Sequence, residues 1–129
     1  MMTKDSTRFL GLRTVIYHAP DLDAAKMWYT RAFGVAPYFD EPFYVGFEIG
    51  GFELGLHPGS SGISVGNNAV AYWGVPDIDS AHAHMLEQGA EPREPIQDVG
   101  GDIKVASVAD PFGNVIGLIQ NPHFRVKGP

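Results

Sequence analysis

APDLDAAKMW (residues 19–28) and VPDIDSAHAH (residues 75–84) are one passage written twice. Pro20, Asp21, Asp23 and Ala25 recur as Pro76, Asp77, Asp79 and Ala81, each 56 positions later. Such spacing marks an internal repeat, and a repeat decides architecture before any single element does. Each passage follows a short β-prone run, TVIYH or VAYWG, and precedes a helical pattern. In the first copy Leu22, Ala25, Tyr29, Ala32 and Phe33 fall on one helix face. Asp21 and Asp77 stand where a helix N-cap is needed, with Asp23 and Asp79 in the first turn beside the positive end of the dipole. Gly34 and Gly89 stand where each helix should stop.

The repeat continues outward. GVAP (residues 34–37) answers GAEP (residues 89–92), and three strand-like segments follow in each half. The spacing predicts strands near 36–40, 43–49 and 52–57, then near 91–97, 102–109 and 114–120. Gly50-Gly51 reads as a hairpin turn, and Gly100-Gly101 and Asp110-Pro111-Phe112-Gly113 as turns in the second half. The reading is βαβββ twice: an α+β fold of two tandem modules with cupped mixed sheets. A single domain over 1–129 is expected, with one module near 8–58, a Gly/Ser-rich linker near 59–67, a second module near 68–122 and a tail at 123–129.

A module of this kind covers one face of its sheet with its helix and leaves the other face for a second sheet or a ligand. Alternation assigns the faces. Phe52, Leu54 and Leu56 should meet the helix, leaving Glu53, Gly55 and His57 on the hollow. Phe47 and Trp73 read as core. The same parity places Ile16, His18, Tyr44, Glu48, Tyr72, Val115 and Ile119 on the hollow side. Aromatic and aliphatic walls with carboxylates suit a flat or weakly cationic small molecule. Glu53 and His57 are the candidates for any acid–base role.

Composition narrows the classes. In 129 residues, 44% hydrophobic content and 19% charge suit a globular domain with a core. A net charge of −6 argues against nucleic acid or an anionic membrane as partner. There is no cysteine, which excludes disulfides and thiolate ligands. With no secretory signal in MMTKDSTRF and no long apolar run, a cytoplasmic protein is expected. No GxSxG, GxGxxG or P-loop motif is present.

The doubled pattern, PDLDAAKMWYTRAFG and DPFGNVIGLIQNP resemble the vicinal oxygen chelate superfamily, which gathers glyoxalases, bleomycin-resistance proteins and ring-cleaving dioxygenases. The resemblance runs over about residues 8 to 124. It implies paired modules, often completed by homodimerisation, with a cavity inside each cup. Metal-dependent members place a histidine in a module's first strand and a glutamate in its last. Carried onto this sequence, those positions hold Thr14 and Val70, then Gly55 and Gly117. Four such residues make no divalent site, which needs several converging imidazole or carboxylate donors. A displaced site would have to be built from His18, His57 and Glu53. His82 and His84, two apart on a helix, cannot chelate together and read as solvated; His123 reads as an exposed tail residue. The leading expectation is a homodimeric binding protein for a small molecule, without metal or other cofactor. The alternative is a lyase, isomerase or dioxygenase with a displaced metal site or metal-free acid–base chemistry.

Overall fold

The computed structural model describes residue 10 and residues 12–59 and 69–124. The predicted linker lies outside these residues except for Gly59. The chain runs β1 (Thr14–His18), α1 (Leu22–Phe33), β2 (Phe39–Glu41), β3 (Tyr44–Ile49), β4 (Phe52–His57), β5 (Ala71–Gly74), α2 (Ile78–Glu87), β6 (Glu91–Asp98), β7 (Lys104–Ala109) and β8 (Val115–Gln120). This is βαβββ twice. The sheets are ordered β1-β4-β3-β2 and β5-β8-β7-β6. In each, the first strand pairs in parallel with the last, and the remaining neighbours are antiparallel.

The local reasons match the sequence logic. Asp21 caps α1 by accepting the Ala24 N–H at 3.0 Å, and Asp77 caps α2 through Asp79 and Ser80. Gly34, at φ 73°, adopts the left-handed conformation that ends α1 and returns its N–H to Thr30. Gly50 and Gly51, at φ 59° and 93°, form the two-residue turn from β3 to β4, where both central residues need positive φ.

Two strands are each shorter than predicted by two residues. β2 spans only Phe39–Glu41 between Pro37 and Pro42, which cannot donate to a ladder. β7 begins at Lys104 because the preceding residues form a turn: Val99 donates to Ile103 O, Ile103 to Gly100 O, and Asp102 has φ 64°.

The alternation assigned from sequence holds except at Phe52, which does not pack on the core and instead lines the pocket beside Glu53. Tyr17, Val45, Phe47, Leu54 and Leu56 are buried on the helix side of the first sheet; Ala106, Val108, Ile116 and Leu118 are buried on that side of the second. Trp73 is partly buried against this core, with its indole N–H donating to Tyr17 Oη at 3.2 Å. Rings stack in sequence from Tyr17 through Tyr29 to Phe33, whose edge meets Trp73. One core therefore serves both modules, and their hollow faces lie on the other side of each sheet.

Polar clamps cross between modules. Tyr29 Oη donates to Asp110 Oδ2 at 2.6 Å, and Asn114 Nδ2 donates to the His18 carbonyl at 2.9 Å. Trp28 Nε1 donates to Gln88 O at 2.7 Å, and His84 Nε2 meets Ala32 O at 2.9 Å. Each helix thus supplies a side chain to a carbonyl at the other's C-terminal end, where backbone acceptors have no helical partner. Of the two histidines expected to be solvated, His84 is exposed, although its ring reaches the Ala32 carbonyl. His82 is corrected: its Nε2 is buried with no hydrogen-bond partner among the described residues. His123 is exposed, with Nε2 2.7 Å from Gly101 O.

This core sets an alkaline limit on stability. Burial, then the nearby Asp110 charge, pushes the Tyr29 phenol well above its ordinary 10.0, and burial raises Tyr17. Above about pH 10 the unfolded chain releases tyrosine protons that the folded chain retains, so stability must fall as pH rises through this window. Thermal midpoints measured from about pH 8 to 11 should stay level and then drop, while the Tyr29→Phe variant loses part of that drop. A level midpoint across the whole range would contradict these assignments.

Candidate functional site

Glu53 is the centre of the first hollow. Its position on β4 faces away from α1 because Leu54 and Leu56 take the buried parity. Three hydroxyls converge on its carboxylate. Thr14 Oγ1 donates to Oε1 at 3.0 Å and Tyr44 Oη to Oε1 at 2.9 Å, while Tyr38 Oη donates to Oε2. Donors to the charged form stabilise it, so the Glu53 carboxyl lies below the usual carboxylate range, with Tyr38 as the largest cause. The converse appears on the phenols: burial, followed by Glu53, pushes Tyr44 up to about 12. The cluster is one ionised carboxylate with protonated partners.

A pocket of about 540 Å³ opens beside it, lined by Arg13, Thr14, Tyr38, Glu48, Gly51, Phe52 and Glu53. Glu48 lies directly across the ladder from Glu53, but its Oε2 accepts the Gly51 N–H at 3.2 Å. The Arg13 guanidinium donates to the carbonyls of Leu10 and Leu12 at 3.0 and 3.3 Å. Next along the rim, Phe39 makes ring contacts with Phe43 and Tyr44, and Tyr38 and Phe43 are more than 60% exposed.

His18 and His57 pair across β1 and β4, with ring centroids 5.6 Å apart. His57 Nδ1 accepts the Gly59 N–H at 2.8 Å, leaving Nε2 to carry any proton. Glu53 pairs with Thr14 at the other end of the same ladder. Four residue steps along the strand separate it from His57, about 13 Å at the usual rise. The trio His18, His57 and Glu53 therefore does not converge, and Glu53 and His57 cannot act as one catalytic pair. Among the described residues no group of three histidine or carboxylate side chains could hold a metal ion.

The glycines at the family's carboxylate positions have a physical role. A Cβ on Gly55 would lie 2.6 Å from Tyr44 Cζ, and one on Gly117 2.6 Å from Tyr72 Cδ1. In each module a tyrosine from the neighbouring strand lies over the glycine and fills the space a carboxylate would take. With Thr14 and Val70 at the matching first-strand positions, these residues do not fit a divalent cation.

The second hollow is a separate pocket of about 370 Å³, lined in part by Val70, Tyr72, Arg93, Gln97, Ser107 and Val115. It shares no lining residue with the first. Tyr72 and Val115 are thus not brought together with Glu53 and Tyr44 within one chain. Ile16 is half-exposed on the first sheet, and Ile119 is partly buried on the second, paired with Val105.

Tyr38 and Arg93 were missed as site residues. Tyr38 lies within the segment 36–40 predicted as a strand, but β2 begins only at Phe39, so the predicted period did not fix its face. Arg93 sits where the register shifts between Pro92 and Glu94, and a bulge re-aims side chains against the simple period. A larger open groove of about 820 Å³ runs past Asp21, Asp23, Asp40 and Glu41. Its acids are partly committed: Asp21 caps α1 and Asp40 pairs with Lys26 at 3.0 Å.

Comparison with known proteins gives the wider setting. A glyoxalase-related enzyme from Fulvimarina pelagi has a similar structure, with a TM-score of 0.76 and 19% identity, covering 92% of this chain and 94% of its own. A putative glyoxalase family protein from Bacillus anthracis has a TM-score of 0.73 at 21% identity, with coverage of 89% and 98%. Lactoylglutathione lyase from Agrobacterium tumefaciens has a TM-score of 0.70 at 19% identity, with coverage of 88% and 95%. No curated protein matches the sequence. Residues 11–118 match the sequence family of the glyoxalase/bleomycin resistance protein/dioxygenase superfamily, and the chain belongs to that superfamily.

Proposed function

We propose that this chain binds a small aromatic or cationic molecule in the first hollow, holding it by stacking and by the Glu53 carboxylate, with no bond made or broken. The observation that carries this reading is the set of three hydroxyls on Glu53, which fixes an ionised carboxylate at the edge of an aromatic-rimmed pocket. A general base works best with its pKa near the working pH. Glu53 is moved the other way, which supports binding over acid–base catalysis. The tyrosines over Gly55 and Gly117 support a site that works without a divalent metal. The cysteine-free, acidic composition supports a cytoplasmic setting away from nucleic acid.

Calorimetric titration with matched neutral and cationic aromatics tests the reading. Glu53→Gln should weaken the cation about tenfold or more, as loss of a charged hydrogen-bond partner typically does, and should leave the neutral compound almost unchanged. The loss should be larger at low salt. Equal losses for both compounds would assign Glu53 a structural role only.

A second copy of the chain is proposed to cover the exposed Ile16, Phe39 and Phe43 of the first module and Tyr72 of the second. Light scattering at micromolar concentration should give about twice the 14.0 kDa chain mass. The mass of a single chain would remove the dimer.

A further inference from the structure

We infer that the first hollow selects an ammonium ion delivering one N–H and discriminates against planar amidinium or guanidinium ligands. The inference rests on the reading of Glu53 as the cation-binding carboxylate and names the class of cation. A carboxylate offers about four lone-pair positions, two on each oxygen. On Glu53 both positions of Oε1 are taken, one by Thr14 Oγ1 and one by Tyr44 Oη. Among the described residues Oε2 accepts only the Tyr38 hydroxyl. One position remains, and it is on Oε2.

An amidinium or guanidinium binds a carboxylate best as a fork, with two parallel N–H donors reaching both oxygens. That fork needs a vacant position on Oε1 and would have to displace Thr14 or Tyr44. A single ammonium N–H needs only Oε2. Glu53 lines the open pocket, and Gly46 lets its Oε2 and the Tyr38 ring settle on the sheet, since a Cβ there would lie 2.9 Å from Oε2 and 3.2 Å from that ring. Tyr38 and Phe52, both lining this pocket, give the ligand's apolar body its contact surface. Arg13 lines the same pocket and disfavours a second positive charge.

Three aromatic cations of similar size separate the possibilities: N,N-dimethylbenzylammonium with one N–H, benzamidine with a planar fork, and benzyltrimethylammonium with no N–H. Each is titrated calorimetrically into the full chain near neutral pH. Dimethylbenzylammonium should bind about tenfold more tightly than either of the others, the scale of one charge-assisted hydrogen bond. In Tyr44→Phe and in Thr14→Val one Oε1 position is freed, so the benzamidine-to-dimethylbenzylammonium affinity ratio should rise severalfold. Two variants are used so that one that folds poorly, judged by its thermal transition, does not decide the matter.

Benzamidine binding the wild type as tightly as dimethylbenzylammonium would overturn the inference, as would an unchanged ratio in both folded variants. Equal binding of benzyltrimethylammonium would overturn it too, since no hydrogen bond would then be involved. If none of the three binds wild type more tightly than Glu53→Gln, the cation-binding reading of the site itself fails.

Discussion

Asp110→Ala is expected to destabilise the fold by about 3–5 kcal/mol, the range for breaking a buried charged network by removing one partner. Asp110 is 4% exposed, and its carboxylate accepts four hydrogen bonds. Phe112 N and Asn114 N bind Oδ1 at 2.9 and 2.7 Å, while Asn114 Nδ2 and Tyr29 Oη bind Oδ2 at 2.8 and 2.6 Å. These fill the acceptor capacity of the group. The alanine variant removes the cost of burying a charge but strands four donors, and the stranded donors dominate. Tyr29→Phe should cost less, about 1–3 kcal/mol, because only one donor goes and the ring still packs. Denaturant unfolding of both variants and their combination gives the coupling. Additive losses would mean that the two side chains do not hold the modules together through this bond.

DPFGN is therefore a clamp as much as a turn. Its aspartate closes the loop before β8, and through Tyr29 it fixes α1 of the other module. Asn114 adds the bond to the His18 carbonyl, beside the first hollow. The sequence motif that carries the family resemblance thus does structural work in this chain, whatever chemistry its relatives perform.

The architecture was legible because two independent signals agreed. The repeat placed both helices, and strict alternation in FELGLH put Leu54 and Leu56 inward and Glu53 and His57 outward. What alternation could not give was position along the strand relative to neighbouring elements. Glu53 and His57 share a face, yet the ladder puts them at opposite ends. Tyr44 and Tyr72 share the same parity class, yet they sit in different sheets and different pockets. Tyr38 lies just ahead of β2, and its bond to Glu53 depends on how the chain turns after Pro37. Arg93 depends on a bulge that leaves no period to read. Gly55 and Gly117 could be read as absent carboxylates. That tyrosines occupy their space required strand pairing, which the sequence does not state.

Gly117→Glu is expected to lower stability by about 1–3 kcal/mol, the usual cost of overpacking, and to create no metal site. The Cβ that every glutamate carries would lie 2.6 Å from Tyr72 Cδ1 and 2.9 Å from the Ala71 carbonyl oxygen. Tyr72 is half-exposed and can swing outward, giving up its contact with the sheet. The Ala71 carbonyl belongs to the strand paired with β8 and has no such freedom. The new carboxylate would stand in the second sheet, opposite Tyr72 and Ser107, rather than near Glu53 or His57. Its first-strand counterpart is Val70, which has no donor atom. For a chain of this size the melting temperature should fall by roughly 4 °C per kcal/mol. Adding Zn²⁺, Ni²⁺ or Mn²⁺ should not restore it, because an ion that finds no converging donors does not bind the folded state and adds no stability. Tyr72→Ala in the same chain should recover part of the loss by vacating the ring's space, which separates crowding from charge. A metal-dependent rise of several degrees in Gly117→Glu would show that donors converge there after all. The tyrosine would then be a removable cover over a metal position.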